Sequence, residues 1–302
     1  MLQPERVVSA LRSSGSLWDA GPGLTGLRGP VLNLLRDIER ELESLTRLET
    51  LDEWRTPAGV GFETLERAQY FASFPQWLST ASHLSGDESV LEEIATSNAP
   101  AAAARNAVGT PETVLPPAVC YHTYAALAGA VIDQPAVMSA QAVCWRHEGS
   151  RLSALERGWA FTMREIVCLG AERDVKGLLD RSISHTERLA RELGLDTSLE
   201  AANDPFFAPT SRGRAALQRI KGLKQELVIR FPDGRPLAIA SFNDHETFFG
   251  NAFSISLAGG GPASSGCAAF GLERWLLAVL VTHGTEPASW PSRAAWSELE
   301  AR

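Results

Sequence analysis

The chain has 302 residues, of which 44% are hydrophobic and 21% charged, and its net charge at pH 7 is −8. This composition is typical of an ordinary globular protein, and the acidic charge argues against general nucleic-acid binding, which needs clustered Lys and Arg. We recognise no signal peptide and no apolar stretch of membrane-spanning length, so we expect a cytoplasmic protein. The four cysteines form no C-x-x-C pair and are expected to be reduced thiols.

The first hundred residues are predicted to form a mixed helical region, residues 1–100, packed on a larger second part, residues 101–302. Apolar residues at steps of three and four predict an amphipathic helix from Leu24 to Leu48. Thr56 to Gly59 breaks the chain, and Glu63 to Leu84 combines a helix with aromatic core residues. The alanine-rich stretch from Ala101 to Pro111 is interpreted as a connector between the two parts.

Two strands in the middle of the chain are predicted to form a hairpin. A small apolar segment, Thr123 to Ile132, is predicted to be a packed helix, and residues then alternate over Gln141 to His147 and again over Arg157 to Leu169. One face of the hairpin would carry Arg146, Glu148, Phe161 and Glu165. These side chains could hold a triphosphate, stack on a base and hold an amine, or they could be an ordinary solvated sheet face.

An amphipathic helix and a basic segment are predicted after the hairpin. The helix covers Glu172 to Leu195, with leucines on one side and charges on the other. From Ser211 to Lys224 the chain carries five cations and no acid: Arg212, Arg214, Arg219, Lys221 and Lys224. In an acidic chain this concentration indicates a docking surface for an acidic partner, although a solvated basic helix face explains it equally well.

The last third of the chain is predicted to form two strands, a turn and a helix. Alternation over Leu237 to Asn243 places Leu237, Ile239, Ser241 and Asn243 on one strand face, and it resumes at Phe253 to Leu257. Because this order contains no βαβ unit, it predicts an α+β fold in which an antiparallel sheet is backed by helices.

A glycine-rich turn near the end is predicted to open a buried helix. The turn spans Gly259 to Gly266, and apolar spacing predicts a helix from Cys267 onward. The free N–H groups at the start of that helix would suit an anion. Arg274 is a single charge among apolar residues, so it either forms a structural ion pair or faces a phosphate.

Two motifs resemble those of class II aminoacyl-tRNA synthetases. Arg146-His147-Glu148, a loop and then Arg157-x-x-x-Phe161 resemble motif two, and Gly271-Leu272-Glu273-Arg274 resembles motif three. Glu165, four residues after Phe161, and Ser241-Phe242-Asn243 are similar to the seryl branch of the class. The resemblance covers roughly Pro116 to Leu280 and implies a class II synthetase-like antiparallel sheet flanked by helices, in a homodimer.

Two departures make the chain similar to the amino acid:carrier protein ligases, relatives of the atypical archaeal seryl-tRNA synthetases. Neither the long coiled-coil tRNA arm nor an anticodon-binding domain is recognised in the sequence. The resemblance implies that an amino acid is activated with ATP and Mg²⁺ to an aminoacyl-adenylate. The aminoacyl group then passes to the phosphopantetheine thiol of a carrier protein, and no tRNA is bound. The basic segment would dock the carrier through Arg212, Arg214, Arg219 and Lys221.

The same resemblance implies roles for individual residues. One zinc ion per chain would be bound by Cys120, Glu165 and Cys267, leaving a fourth position for the α-amino group of the substrate. Crowding of the implied zinc site by Trp159 and Met163 predicts a small amino acid, such as glycine or alanine. Strand geometry alone does not exclude Cys144 as a ligand. Catalysis is assigned to Arg146 and Arg274, and the amino acid site to Glu165, Trp159 and Asn243. The residues assigned to ATP are Arg146, Glu148, Arg157, Gly158, Phe161, Lys224, Ala238, Ile239, Ala240, Ser241 and Arg274.

Two other functions remain open at this point. The chain could charge or bind tRNA as a seryl-tRNA synthetase paralogue, although its acidic charge weighs against this function. It could also be a non-catalytic regulatory protein, although the presence of Arg146, Glu148 and Arg274 weighs against that. No acidic residue near Ala238 matches the magnesium-binding glutamate of seryl enzymes, so the sequence predicts no ligand for the metal that accompanies ATP.

Overall fold

A computed structural model describes residues 1–44, 51–202, 204, 207 and 222–291. The helices are α1 (Pro4–Ser13), α2 (Pro30–Ser44), α3 (Phe62–Arg67), α4 (Tyr70–Ser73), α5 (Glu88–Thr96), α6 (Pro100–Asn106), α7 (Cys120–Ala126), α8 (Glu172–Glu192), α9 (Phe248–Phe253) and α10 (Leu272–His283). The strands are β1 (Leu17–Gly21), β2 (Leu24–Leu27), β3 (Asp52–Trp54), β4 (Ser79–Ala81), β5 (Thr113–Leu115), β6 (Val131–Ile132), β7 (Ala136–Trp145), β8 (Ala160–Gly170), β9 (Thr197–Ala201), β10 (Lys224–Arg230), β11 (Pro236–Asp244), β12 (Ser256–Leu257) and β13 (Ser264–Gly271).

A seven-stranded sheet in the order β3-β7-β8-β13-β11-β10-β9 forms the centre of the protein. Its pairs are antiparallel from β7 to β9, and only the edge pair β3–β7 is parallel. The predicted hairpin is the β7–β8 pair, in which Cys144 lies opposite Phe161. The α+β prediction of an antiparallel sheet flanked by helices is therefore confirmed.

Helices cover one face of this sheet, while the short helices α7 and α9 cover only part of the other face and leave a cleft there. The largest hydrophobic core joins α8, α10, α1 and α2 to sheet residues such as Ile166, Ala268 and Phe242. Helix α10 is buried on nearly all sides, which explains why its sequence is apolar all round rather than on one stripe. Side chains that alternate with these core residues, Glu165 and Cys267 among them, therefore point to the opposite face.

The prediction of a helix from Cys267 onward was wrong. Residues Ser264–Gly271 form strand β13, which pairs with β8 and β11, and the helix begins at Leu272. A run of small residues buried on both faces of a central strand has no alternation, so its sequence resembles that of a buried helix. The glycine turn consequently leads into a strand, and the predicted anion site at a helix start next to that turn does not form.

A β-bulge corrects the predicted face of β11. Leu227 of β10 lies opposite Ala240, whereas the next residue, Val228, lies opposite Ala238, so Ile239 is an extra residue in β11. An extra residue reverses which side of the strand faces the core. Leu237 and Ile239 accordingly belong to the main core, while Ser241 and Asn243 face the cleft.

Three other predicted elements differ in the structure. Leu24–Leu27 is a strand, and the amphipathic helix begins only at Pro30. The apolar segment before the hairpin contains a shorter helix, α7, followed by strand β6. Phe253 ends helix α9, and the alternation seen there leaves only β12, which pairs in parallel with β6. Short apolar runs fit both periods, so these errors fall where the sequence is ambiguous.

The N-terminal part contributes to the same sheet and core as the rest of the chain. Strand β3 pairs with β7, and α1 and α2 supply residues to the main core. The division at residue 100 stays a prediction. Within the described ranges, we find no helix that is both long and apolar enough to cross a membrane.

Candidate active site

A cleft of about 1530 Å³ opens on the sheet face opposite α8. Strands β8, β11 and β13 form its floor, and the β7–β8 loop and the start of α10 form part of its wall. The structure brings together in this cleft nearly all of the residues predicted for the site: Cys120, Arg146, Glu148, Arg157, Gly158, Phe161, Glu165, Lys224, Ala238, Ile239, Ala240, Ser241, Asn243, Cys267 and Arg274.

Cys120, Glu165 and Cys267 converge at one end of the cleft. Their ligand atoms all lie within 4.8 Å of one another, and all three side chains are buried. Neighbouring strands bring Glu165 and Cys267 together, because β8 and β13 are paired. The start of α7 holds the carboxylate: the backbone N–H groups of Val119 and Cys120 donate to its two oxygens at 3.2 and 2.9 Å.

A shared hydrogen bond shifts the pKa values of the two thiols in opposite directions. A hydrogen bond from Cys120 holds the pKa of Cys267 well below the usual thiol value, while the same bond and burial raise the pKa of Cys120 well above it. Burial and the nearby charge of Cys267 raise the pKa of Glu165 to about 7. Anionic groups crowded together out of water need a cation to stabilise them.

The three side chains fit a zinc ion. Two cysteine sulfurs and one carboxylate are a donor set that zinc prefers, and three protein ligands leave one coordination position open. Cys144 is equally buried but packs with Val119, Ala140 and Met163 in a separate cluster outside the ligand group. Its position therefore agrees with a structural role rather than a ligand role.

Polar groups around Cys267 were not predicted from the sequence, apart from Asn243. The amide nitrogen of Asn243 donates to the Cys267 sulfur at 3.5 Å, so this residue contacts the proposed ligand. His245 Nε2 lies 3.9 Å from the same sulfur, and the Tyr124 hydroxyl lies 3.2 Å from His245 Nδ1. Partners of this kind orient metal ligands. The sequence contained one signal for His245: it follows Asn243 by two residues, and residues two apart on a strand lie on the same face.

Three arginines lie along the next part of the cleft. Arg274 donates to the carbonyl oxygens of Glu156 and Ala238 at 2.9 and 3.1 Å, and it forms no ion pair within the described part of the chain. Burial and then the charges of Arg157 and Arg146 lower the pKa of Arg274. Arg274 thus has no carboxylate partner in the described chain and is a partly buried cation beside two other arginines, which favours an anionic ligand.

Hydrogen bonds and rings fix the orientation of the other two arginines. Arg146 donates from Nε to the Pro117 carbonyl at 2.9 Å, and its guanidinium lies 5.4 Å from the centre of the Phe161 ring. Arg157 forms an ion pair with Glu148 at 2.7 Å. Phe161 was predicted to stack on adenine, and in the structure one contact of its ring is with Arg146.

Lys224 lies in the cleft between two carboxylates. Its ammonium is 2.6 Å from Asp204 and 3.2 Å from Glu226. Burial acts to lower the pKa of Lys224, but the two carboxylates outweigh burial and raise it. The sequence analysis looked for an acidic residue near Ala238 and did not consider Glu226. Glu226 lies on β10, opposite Ser241 of β11.

One residue predicted for the amino acid site is not brought into the cleft. Trp159 does not line it; its indole N–H donates to the Ser79 hydroxyl at 2.8 Å, and its ring packs edge-on against Trp145. Trp159 precedes β8, which begins at Ala160, so the strand alternation used in the prediction does not extend back to it. The predicted docking residues Arg212, Arg214, Arg219 and Lys221 lie outside the described residues.

Residues 69–77 form a wall of the cleft that the sequence did not predict. Gln69, Tyr70, Ser73, Phe74 and Trp77 all line it, from around α4. These residues belong to the N-terminal part, which showed no motif, so only the aromatic content of the segment could have drawn attention to it. The cleft is therefore built from both parts of the chain.

The chain is similar to known proteins in both sequence and fold. No family model matches the chain. Amino acid–acyl-carrier-protein ligase 1 of Bradyrhizobium diazoefficiens is 34% identical over 240 residues, which cover 79% of this chain and 74% of the relative. Ligase 2 of the same organism is 35% identical over 240 residues, covering 78% of this chain and 71% of the relative. Type-2 serine–tRNA ligase of Methanopyrus kandleri is 28% identical over 155 residues, or 48% of this chain and 29% of that enzyme.

Solved structures share the fold at lower identity. The seryl-tRNA synthetase of M. kandleri, solved with a tRNASec of A. aeolicus, superposes with a TM-score of 0.83 at 21% identity over 98% of this chain. The prolyl-tRNA synthetase of Giardia lamblia, solved with prolyl-adenylate, has a TM-score of 0.73 at 14% identity over 97% of this chain. This chain spans 60% and 57% of those two proteins. These likenesses establish a class II synthetase fold.

Proposed function

The chain belongs to the amino acid–acyl-carrier-protein ligase family, and on this basis we propose that it activates an amino acid with ATP and transfers it to a carrier protein. One observation carries the proposal. A single cleft contains a buried Cys120–Glu165–Cys267 group next to three arginines, of which Arg274 has no carboxylate partner in the described chain. An amine and a triphosphate could bind side by side there.

The arginines are proposed to bind and activate ATP. Arg146 and Arg274 are held by carbonyl oxygens, so their guanidinium groups are oriented before any substrate arrives. Oriented donors stabilise negative charge as it develops on phosphate, and removal of one typically costs two to three orders of magnitude in rate. We propose that Glu148, Arg157, Gly158 and Phe161 contact the nucleotide, with Lys224 and residues 238–241 on the other side. Glu226 is proposed as a carboxylate near the Mg²⁺ that accompanies ATP.

The amino acid is proposed to bind at Cys120, Glu165 and Cys267. Zinc, when bound there, would supply an open coordination position for the α-amino group of the substrate. Glu165 is positioned by the α7 backbone, and Asn243 by its contact with Cys267, so both orient the amine end of the site. The aromatic ring of Phe249 packs with Cys120 and Cys267, which favours a small amino acid such as glycine or alanine.

The reaction proposed has two steps. In the first, a carboxylate oxygen of the amino acid attacks the α-phosphorus of ATP, pyrophosphate leaves, and an aminoacyl-adenylate forms. In the second, the thiol of the carrier's phosphopantetheine arm attacks the acyl carbon, the bond to AMP breaks, and a thioester forms. Four cations of the basic segment are proposed to dock the carrier, on the ground of the sequence alone: Arg212, Arg214, Arg219 and Lys221.

Amino-acid-dependent ATP–pyrophosphate exchange tests the first step. Purified protein is assayed with glycine and alanine, and with larger amino acids as controls. We expect exchange with at least one small amino acid and none without amino acid. Absence of exchange with every amino acid, from folded protein loaded with zinc, would instead favour a non-catalytic function.

Two further properties are proposed from the family resemblance. A homodimer is expected, and light scattering on the purified protein would measure its mass. A cytoplasmic location is expected, and fractionation of the source cell would test it. Neither property is needed for the chemistry argued above.

A further inference from the structure

Tyr70 carries a buried hydroxyl in the cleft that has no hydrogen-bond partner among the described residues. The residue is 3% exposed and it lines the cleft. Burying a hydroxyl without a partner is unfavourable, so such a group at a ligand site suggests that a ligand completes it. The reaction proposed above uses no group at this position.

The chain presents Tyr70 from a strained turn. Gln69, immediately before it, has φ 54° and ψ 28°, a left-handed conformation that is uncommon for a residue other than glycine, asparagine or aspartate. Strain of this kind clusters at binding sites, where the surrounding structure maintains it. The ring is then held on two sides, by Tyr121 at 5.7 Å and Phe74 at 5.5 Å between ring centres. Tyr70 is therefore fixed in place before a ligand binds.

The hydroxyl of Tyr70 shares its part of the cleft wall with Arg146. Burial raises the pKa of Tyr70 to about 12, and the charge of Arg146 acts against that rise, so the two groups are within electrostatic reach. At neutral pH the hydroxyl is consequently protonated and can donate. Tyr121, whose ring contacts Tyr70, directly follows Cys120, so this wall joins the amine end of the site to the phosphate end.

We propose that the Tyr70 hydroxyl donates a hydrogen bond to the acyl oxygen of the bound amino acid. This inference rests on the proposed function. In the proposed complex, the amine of the amino acid lies at Cys120–Glu165–Cys267 and the phosphates of ATP lie at Arg146. The carboxylate of the amino acid lies between them. One carboxylate oxygen attacks ATP, and the other oxygen suits a neutral hydrogen-bond donor. That oxygen becomes the carbonyl oxygen of the adenylate.

The hydrogen bond from Tyr70 to the acyl oxygen should become stronger during transfer to the thiol. When sulfur bonds to the acyl carbon, the electron pair of the carbonyl moves onto this oxygen, and it returns when the carbon–oxygen bond to AMP breaks. The thiol proton passes to solvent, and Tyr70 keeps its own proton throughout. A donor already in place stabilises the oxygen most when it carries full negative charge. Tyr70 would therefore favour transfer more than it favours binding of the amino acid.

Tyr70→Phe tests the proposal, with Thr282→Val as a matched control. Thr282 also has a buried hydroxyl without a partner, but it lies in α10 and does not line the cleft. Each variant is allowed to form adenylate with the amino acid most active in exchange, and transfer to phosphopantetheine is then measured in a single turnover. Thermal unfolding of each protein is recorded in parallel.

We expect transfer by Tyr70→Phe to slow about 100-fold, with a smaller rise in KM for the amino acid in exchange. Thr282→Val should transfer at the wild-type rate, and neither variant should unfold at a lower Tm, since each loses only an unpaired hydroxyl. Transfer by Tyr70→Phe within threefold of wild type, or a Tm several degrees lower, would overturn the proposal. Failure of the proposed function would look different, because the wild-type protein itself would then show no exchange.

Discussion

At the level of single residues, Arg274 is the most direct test of phosphate binding. Its guanidinium is held by two carbonyl oxygens and is left without a carboxylate partner in the described chain, next to Arg146 and Arg157. We predict that Arg274→Ala lowers the rate of amino-acid-dependent pyrophosphate exchange by roughly 100- to 1000-fold. Circular dichroism should show an intact fold.

Arg173→Ala is the control for that variant, because Arg173 is an exposed arginine on α8, remote from the cleft. Its exchange rate should equal that of the wild type. A folded Arg274→Ala protein that exchanges as fast as the control would contradict the phosphate assignment and return Arg274 to a structural role.

The cysteines permit an equally sharp test of the metal site. We predict one zinc ion per chain. The Cys144→Ala variant should retain it and the Cys267→Ala variant should lose it, because of these two cysteines only Cys267 belongs to the ligand group. Elemental analysis of both proteins after dialysis measures this directly. Retention by Cys267→Ala together with loss by Cys144→Ala would mean that the ligand set is wrong.

Site residues that stand in sequence motifs could be predicted, and site residues outside motifs could not. Cys120, Glu165, Cys267 and the arginines stand in motifs, and the structure brings them into one cleft. His245 and Tyr70 have no motif; their importance comes from three-dimensional neighbours, a cysteine sulfur and an arginine far away in sequence. Local spacing carries no information about such contacts.

At the level of elements, the packing of β13 against α8 makes a prediction about Gly266. A Cβ there would lie 2.6 Å from Val175 Cγ1 and 2.9 Å from the Asn243 carbonyl oxygen. We predict that Gly266→Ala lowers the free energy of unfolding by about 1–3 kcal/mol, as overpacking in a core does. Denaturant titration of the purified protein measures the change.

Gly259→Ala is the matched control, since a Cβ at Gly259 would meet nothing within 4 Å. It should shift the free energy of unfolding by less than about 0.5 kcal/mol. Equal stability of the two variants would show that β13 and α8 are less closely packed than the structure indicates.

Elements with clear periodicity were predicted well, and those without it were not. The hairpin β7–β8 and helix α8 have strong patterns and were found near their predicted positions. Strand β13 is made of small residues that are covered on both faces of the sheet. Strand β11 contains a β-bulge, which reverses the side of the sheet to which the following side chains point. Both features depend on neighbouring strands, so no local pattern announces them.

At the level of the whole molecule, charge bears on the choice of acceptor. The chain has a net charge of −8, and its basic segment supplies four cations predicted to dock a carrier, Arg212, Arg214, Arg219 and Lys221. A tRNA would require many phosphates to be neutralised, whereas one acidic helix of a carrier protein needs only a small basic surface. Opposite charges would mainly speed encounter and orient the carrier.

Charge reversal in this segment separates docking from activation. We predict that Arg212, Arg214 and Arg219 changed together to Glu impair transfer to the carrier but leave pyrophosphate exchange at the wild-type rate. Transfer to free phosphopantetheine, which needs no docking, should also be unchanged. Loss of exchange in the triple variant would contradict a docking role, and so would normal transfer to the carrier.

The central claim is that the acceptor is a phosphopantetheine thiol. The measurement that tests it most directly offers the protein one labelled amino acid, ATP, total tRNA, and an acyl-carrier protein with and without its phosphopantetheine arm. We predict that label appears on the phosphopantetheinylated carrier as a thioester cleaved by hydroxylamine, and on nothing else. Label on tRNA, or on the carrier that lacks its thiol, would contradict the account.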